Sequence, residues 1–157
     1  MIALRTVGPD DWLAWRELRL AALAEAPHAF GSTLAEWQDE SEERWRARLA
    51  IPDSHNVLVV ADDRPVGMAS GVPEDGRAEL ISMWVSPTAR GMGVGNVLIA
   101  EIARWAAGRA DALYLSVMPD NAAAIALYAR NGFVDTGEPG DLLADGVRRE
   151  ILMAKAL

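Results

Sequence analysis

The chain has 157 residues, of which 51% are apolar and 24% are charged, and its formal net charge is -8 at pH 7. A chain of this length is expected to fold around one core, so we predict a single domain over residues 1–157. The excess of acidic residues argues against a nucleic-acid partner, whose phosphates require a basic surface. The absence of cysteine excludes disulfides, thiolate metal sites and cysteine nucleophiles.

No apolar run approaches the length of a bilayer span, and the first residues lack the basic and apolar regions of a signal peptide. We therefore expect a cytoplasmic protein with no membrane partner. His28 and His55 are far apart in the sequence, and nothing else indicates a metal site. We interpret both histidines as surface or loop residues and predict no metal cofactor.

The first third of the chain predicts one strand and two helices. Residues 1–6 alternate weakly and predict a short strand. Pro9 and the two aspartates behind it predict a helix that runs to about residue 24, because proline and acids favour the first helical turn. Thr33 and Glu36 form the pattern of a capping box, and the apolar residues after them recur at helical spacing. This pattern predicts one helix over residues 34–49.

The rest of the chain predicts a sheet and two further helices. Turns over residues 62–65 and 73–76 separate three strands that pair as antiparallel neighbours. A helix follows over residues 94–108, and a second one ends near residue 130. The predicted strands after the first are residues 56–61, 66–72, 77–85, 112–117, 133–137 and 147–154, with a loop over 138–146. We predict an α/β (α+β) fold of order βααβββαβαββ, with a mixed, mostly antiparallel central sheet flanked by helices.

The most informative stretch is the Gly-rich turn between strand 77–85 and the helix that starts at Val94. Gly91, Gly93 and Gly95 do not have the Gly-x-Gly-x-x-Gly spacing of a dinucleotide fold, and no Lys-Ser or Lys-Thr pair of a nucleoside-triphosphate loop follows. A strand that runs into glycines at a helix N-terminus leaves backbone N–H groups unpaired, and this geometry binds phosphate. An ordinary tight turn is the alternative.

The pattern Arg-x-x-Gly-x-Gly at Arg90, Gly93 and Gly95, preceded by Met-Trp-Val-Ser-Pro, resembles the acyl-CoA loop of the GCN5-related N-acetyltransferases (GNAT). The resemblance implies one acyl-CoA N-acyltransferase domain with acetyl-CoA as cosubstrate. In that family the loop amides hold the CoA pyrophosphate, and the preceding strand hydrogen-bonds the pantetheine arm. The cofactor-binding residues that the resemblance implies are Met83, Trp84, Val85, Arg90, Gly91, Met92, Gly93, Val94, Gly95, Asn121 and Tyr128.

A later part of the chain resembles a second signature of the same family. The residues that carry this resemblance are Asn121, the pair Leu127-Tyr128 and the pair Gly132-Phe133. The resemblance therefore extends over residues 77–135. Tyr128 matches the tyrosine that points at the CoA sulfur in the family, so we predict that it stabilises the leaving thiolate. Asn121 is predicted to be a helix N-cap, a pantetheine ligand or both.

Glu79 is the candidate general base. An alkylammonium of pKa near 10.4 is neutral in only about one part in 2,500 at pH 7, so amine acetylation requires a proton acceptor. Glu79 matches the strand position of the base in histone-acetylating members of the family, and a carboxylate serves as a base only if burial raises its pKa. The alternatives are that Glu79 is a solvent-exposed residue at a strand end and that Tyr128 is an ordinary core residue.

The predicted function is transfer of an acetyl group from acetyl-CoA to a primary amine of a small molecule or peptide. The alternative is a non-catalytic acetyl-CoA sensor or interaction module, which would need the loop but neither Glu79 nor Tyr128. In the family the first two helices form a wall of the acceptor site, so acids there favour a cationic acceptor unless they are only a solvated face. The acids are Asp39, Glu40, Glu42 and Glu43. The first helix is either an ordinary core helix or a helix whose apolar surface partly meets the substrate or a second subunit. Contact with a second subunit would make a homodimer.

Overall fold

The computed structural model describes residues 2–157 and contains a sheet of seven strands. The strands are β1 (Ile2–Val7), β2 (His55–Ala61), β3 (Arg64–Glu74), β4 (Arg77–Val85), β5 (Ala112–Val117), β6 (Val134–Leu142) and β7 (Arg149–Ala156). They lie in the order β1-β2-β3-β4-β5-β7-β6, and only β4 and β5 pair in parallel. Met1, which the predicted first strand includes, lies outside the described residues.

Five α-helices cover this sheet, namely α1 (Trp12–Glu25), α2 (Leu34–Trp37), α3 (Glu42–Leu49), α4 (Val94–Ala107) and α5 (Ala122–Arg130). The alternation of side chains along the strands gives the sheet two apolar faces. In β2, Val57 and Val59 pack in the cluster with α4, whereas Leu58 packs in the cluster with α1 and α3. The prediction of a mixed α/β fold with a mostly antiparallel sheet is confirmed.

The parallel pair of β4 and β5 is short. These strands pair only at Ala78 with Leu113 and at Glu79 with Tyr114, although both continue well beyond these residues. β4 also contains a bulge opposite β3, and Ser82 adopts a φ of 55° there. A bulge bends and twists its strand, so the C-terminal half of β4 diverges from β5 and a gap opens in the sheet.

The predicted single helix over residues 34–49 is wrong. The structure has two helices, α2 and α3, separated by residues 38–41. The Thr33 side chain caps α2, and the Ser41 hydroxyl accepts a hydrogen bond from the Arg44 N–H at 3.2 Å, which starts a second helix. The helical spacing of the apolar residues continues across Ser41 and therefore does not reveal that its side chain competes with helix continuation.

The predicted loop over residues 138–146 is also wrong in its first half, because β6 continues to Leu142. The register of β6 against β7 is irregular around Pro139, and Gly137 has a φ of 77°. Proline is tolerated here because β6 is an edge strand and does not need every N–H group for pairing. Similarly, β3 runs through Pro73, and the next turn is confined to Asp75 and Gly76.

The packing of α4 on β3 generates a prediction. A Cβ atom at Gly71 would lie 2.5 Å from the Trp105 ring, so Gly71→Ala forces the indole to move. We expect the free energy of unfolding to fall by about 1–3 kcal/mol, as overpacking typically costs. Gly108→Ala is the control, because a Cβ atom there meets nothing within 4 Å and the backbone has an ordinary φ of -84°. Urea denaturation of both variants measures the difference, and equal stabilities would contradict the packing argument.

Candidate active site

A cavity of about 620 Å³ lies in the gap between the diverging strands. Its walls come from the end of α1 and the residues after it, from the end of β4 with the glycine loop, from the end of β5 and from α5. The structure brings together in this lining all the predicted cofactor residues except Met92, whose side chain is exposed. The lining residues from the prediction are Met83, Trp84, Val85, Arg90, Gly91, Gly93, Val94, Gly95, Asn121 and Tyr128.

The N-terminus of α4 offers unpaired backbone donors to this cavity. Gly93 is the N-cap residue with a φ of 80° and provides no side-chain cap. The Val97 N–H group donates to the Gly93 carbonyl at 3.1 Å. The N–H groups of residues 94–96 lie before this hydrogen bond, so they have no acceptor within the helix. A Cβ atom on Gly91 or Gly93 would meet no protein atom within 4 Å, which leaves open space beside the loop. This arrangement fits an anionic phosphate ligand.

Glu25, at the end of α1, links that helix to the end of β4 and to the glycine loop through a hydrogen bond and an ion pair. Its carboxylate accepts a hydrogen bond from the Trp84 indole N–H at 3.1 Å and pairs with the Arg90 guanidinium. Arg90 also donates to the Val85 carbonyl at 3.1 Å. Sequence reasoning missed Glu25, since a lone acid at the end of a helix carries no motif. These contacts position Arg90 at the rim of the cavity.

Asn121 and Tyr128 enter the cavity from α5. The Asn121 side chain caps the helix by accepting a hydrogen bond from the Ala124 N–H at 3.2 Å. Tyr128 is only 8% exposed and packs edge to face against Phe133, with 5.8 Å between the ring centroids. Burial raises the pKa of the Tyr128 hydroxyl to about 12, because the phenolate would lose its hydration. The hydroxyl is therefore a neutral hydrogen-bond donor at physiological pH.

A second cavity, of about 320 Å³, adjoins the first, and Ala29, Phe30 and Ser116 line both cavities. Glu79 lines this smaller cavity and not the larger one. Burial raises the pKa of Glu79 to about 7, and the nearby Glu74, Asp141 and Glu150 carboxylates add to the increase. Glu79 is thus partly ionised near pH 7, which is the state that a general base requires.

The acids on and before α3 do not line either cavity. Glu40 pairs with Arg44, and Glu42 pairs with Arg46 at 2.9 Å. Their arrangement is that of a solvated helix face. The carboxylates that do face the smaller cavity, besides Glu79, are Asp141 from β6 and Glu150 from β7. Sequence reasoning missed both, because the prediction placed Asp141 in a loop.

The interpretation of both histidines as surface or loop residues is wrong for His55. His55 begins β2, and its imidazole Nε2 lies 2.7 Å from a Glu101 carboxylate oxygen on α4. His28 lies in a short 3-10 helix over Pro27–Ala29. Among residues 2–157, no group of His, Cys, Asp and Glu side chains has an arrangement that could hold a metal ion.

The family model "Acetyltransferase (GNAT) family" matches residues 12–133 of the chain. The chain belongs to this family. A mycothiol acetyltransferase from Kineococcus radiotolerans is 37% identical over 129 residues, which cover 80% of this chain and 40% of that protein. The chain thus spans about two fifths of the length of this curated relative. The resemblance of the glycine loop and the second signature to the GNAT family is confirmed.

Solved structures give the same fold. An acetyltransferase of the GNAT family from Streptococcus pneumoniae superposes with a TM-score of 0.81 at 20% identity, covering 100% of this chain and 99% of that one. An N-acetyltransferase from Thermoplasma acidophilum, solved in complex with coenzyme A, gives a TM-score of 0.77 at 18% identity, with 100% and 99% coverage. At such identities the agreement concerns the GNAT fold.

None of the helices within residues 2–157 combines the length and the apolar character that crossing a membrane requires.

The loop geometry predicts the effect of Gly93→Val. Valine is strained at a φ of 80°, and its side chain would project into the open space beside the α4 amides. We expect CoA affinity to fall by at least 10-fold in calorimetry. Gly76→Val is the control, because Gly76 has a φ of 79° in a turn outside the larger cavity and imposes similar strain there. Unchanged CoA affinity in Gly93→Val, or an equal loss in Gly76→Val, would contradict binding at this loop.

Proposed function

We propose that the chain is an acetyl-CoA dependent N-acetyltransferase that acetylates a primary amine of a small molecule or peptide by direct attack on the thioester. The observation that carries this proposal is the contact between two cavities. The larger one has the amide-rich loop and Tyr128, and the smaller one has Glu79. Ala29, Phe30 and Ser116 line both cavities. A donor and an acceptor bound in these cavities would meet at the shared wall.

The lining of the larger cavity suits the chemical groups of CoA. The amides at the start of α4 and the Arg90 guanidinium suit a pyrophosphate, and the apolar side chains of Met83, Val85 and Leu127 suit an extended arm. Bound acetyl-CoA would supply an acetyl group activated as a thioester, whose C–S bond breaks as the new C–N bond forms. The coenzyme A complex of the Thermoplasma acidophilum protein supports this assignment.

Glu79 would accept, directly or through water, the proton that the substrate ammonium group must lose before the neutral amine attacks the thioester. The pKa difference between Glu79 and an alkylammonium of about 10.4 is about 6 for an ordinary glutamate and about 3 for a carboxylate of pKa about 7. Burial therefore makes proton transfer less unfavourable. The acids around Glu79 would also attract the ammonium form of the substrate into the cavity.

Tyr128 would stabilise the leaving thiolate as a hydrogen-bond donor. Full transfer of its proton to a thiolate of ordinary pKa about 8.5 would be unfavourable by roughly 5 kcal/mol, because burial raises the pKa of Tyr128 to about 12. A donated hydrogen bond needs no such transfer and favours the developing negative charge. The proton that the thiolate finally takes up would then come from the acceptor amine, by way of Glu79, and not from Tyr128.

The competing function is a non-catalytic acetyl-CoA sensor. Such a module needs the loop but has no use for a carboxylate whose pKa is raised inside an adjoining cavity. Thiol release from acetyl-CoA, measured over a panel of amines, amino acids, aminoglycosides and peptides, tests the proposal. Release that depends on an added amine supports the enzyme, and tight CoA binding without release for any amine supports the sensor.

The role of Glu79 predicts a distinct pH profile for Glu79→Gln. With the base intact, kcat/KM should rise through pH 7 and level off above about pH 8, where most of the Glu79 carboxylate is ionised. Without the base, the rate should follow the free amine and continue to rise towards pH 10. We expect about a 100-fold loss at pH 7, which is at the lower end for a general base, and a smaller loss at higher pH. The exposed Glu17, changed to Gln, is the control. A constant ratio of variant to unmodified rates from pH 6 to 10 would argue against a base.

The role of Tyr128 predicts that Tyr128→Phe lowers kcat by about 10- to 1,000-fold with little change in CoA affinity, because it removes one hydrogen-bond donor. Tyr114→Phe is a matched control, since Tyr114 is the other tyrosine of the chain and lies outside both cavities. Steady-state kinetics at a temperature where both variants are fully folded measure the difference. Equal rates for the two variants would mean that Tyr128 contributes packing only.

A further inference from the structure

Two arginines form one wall of the smaller cavity, and neither is neutralised by a carboxylate among residues 2–157. Arg19 comes from α1 and Arg48 from α3, and both line the cavity with Glu79. The ion pairs of the described chain involve other arginines. Burial lowers the pKa of each guanidinium to about 10, so both remain charged at pH 7.

The surroundings of the two side chains differ. Arg48 donates to neutral oxygens, namely Asn56 Oδ1 at 3.2 Å and the Ser70 and Ser82 hydroxyls at 3.0 Å each. Arg19 lies over the Phe30 ring, 4.5 Å from its centroid, and its buried Nη1 has no hydrogen-bond partner among the described residues. An unpaired N–H group on a buried cation lowers the stability of the fold, because its lost hydration is not replaced. Such a group is normally paired with an anion.

The acids of the same cavity do not fulfil this role. The pKa of Glu79 is raised by burial and by other carboxylates, and the pKa of Glu150 is likewise raised. A guanidinium in contact with either carboxylate would lower its pKa instead. Among residues 2–157, no carboxylate lies within ion-pair distance of Arg19 or Arg48. The cavity of about 320 Å³ therefore has a cationic wall and a separate acidic wall.

We propose that the acceptor is a small amino carboxylate, whose carboxylate binds Arg19 beside Arg48 while its ammonium group faces Glu79. This inference rests on the proposed acetyl transfer and names its acceptor class. The planar guanidinium of Arg19 presents paired N–H donors that match a carboxylate, and both charges of the acceptor are then compensated. The acidic wall holds the ammonium near the base. The sequence predicted a cationic acceptor from the acids near α3, whereas the charges inside the cavity favour a zwitterion.

Matched acceptors test the proposal. Thiol release from acetyl-CoA is measured with amino acids, their carboxamides, the corresponding decarboxylated amines, and aminoalkyl phosphates. We expect kcat/KM to be at least 10-fold higher for the carboxylate than for its amide or amine, mainly through KM. Equal use of carboxylate and amide, or a preference for the phosphate, would overturn the proposal while acetyl transfer itself stands.

Substitutions at Arg19 provide the second arm. Arg19→Gln should remove the preference for the carboxylate over the amide, and Arg19→Lys, which keeps the charge, should restore part of it. Arg16→Gln is the control, because Arg16 lies on the same helix and donates to the Gln38 carbonyl outside the cavity. An equal loss for carboxylate and amide in Arg19→Gln would mean that Arg19 only supports the fold.

Direct binding separates this inference from the proposed function. The same amino carboxylates are titrated into the protein with CoA present and followed by NMR. Binding that weakens at least 10-fold in Arg19→Gln supports the anion site even if no amine yields thiol release, in which case the proposed function alone fails. Absence of binding to the unmodified protein overturns the anion site.

Discussion

The candidate active site depends on the separation of two parallel strands. β4 and β5 hold each other through the pairs Ala78–Leu113 and Glu79–Tyr114, and the bulge at Ser82 then turns β4 away. Had the pairing continued, the backbone groups at the ends of both strands would be occupied and the larger cavity would be closed. The gap also sets the position of the glycine loop, because the loop continues directly from the end of β4. One local irregularity thus opens a cavity between two strands of an otherwise regular sheet.

The location of Glu79 follows from the same feature. Glu79 belongs to the last residue pair before the strands diverge, and its side chain lines the smaller cavity rather than the larger one. Half-buried there and surrounded by Glu74, Asp141 and Glu150, it has a raised pKa that a solvent-exposed glutamate would not have. The acids come from β3, β6 and β7, so the electrostatics of this residue are a property of the folded sheet rather than of its own strand.

Sequence reasoning was most successful where local chemistry decides the structure. The glycine loop, the Asn121 cap and most strands follow from short patterns, and the fold class follows from their order. It failed where two local signals compete, as at Ser41, and where an edge strand tolerates Pro139. The walls of the smaller cavity could not be predicted, because Arg19 and Arg48 come together only when α1 and α3 pack on the same face of the sheet. A basic residue between Leu18 and Leu20 was the one available signal.

Arg48 links the wall of the smaller cavity to the bulge in β4 that opens the larger one. Its guanidinium reaches from α3 to Asn56 on β2, Ser70 on β3 and Ser82 on β4. Ser82 is the residue with positive φ in the bulge, a conformation that surrounding contacts must stabilise in a non-glycine residue. The hydrogen bond from Arg48 provides such a contact, so the cationic wall of the smaller cavity also supports the bend of β4 that opens the larger one. Within residues 2–157, Arg19 makes no such hydrogen bond to the strands, and it is therefore the guanidinium that we propose as the carboxylate ligand.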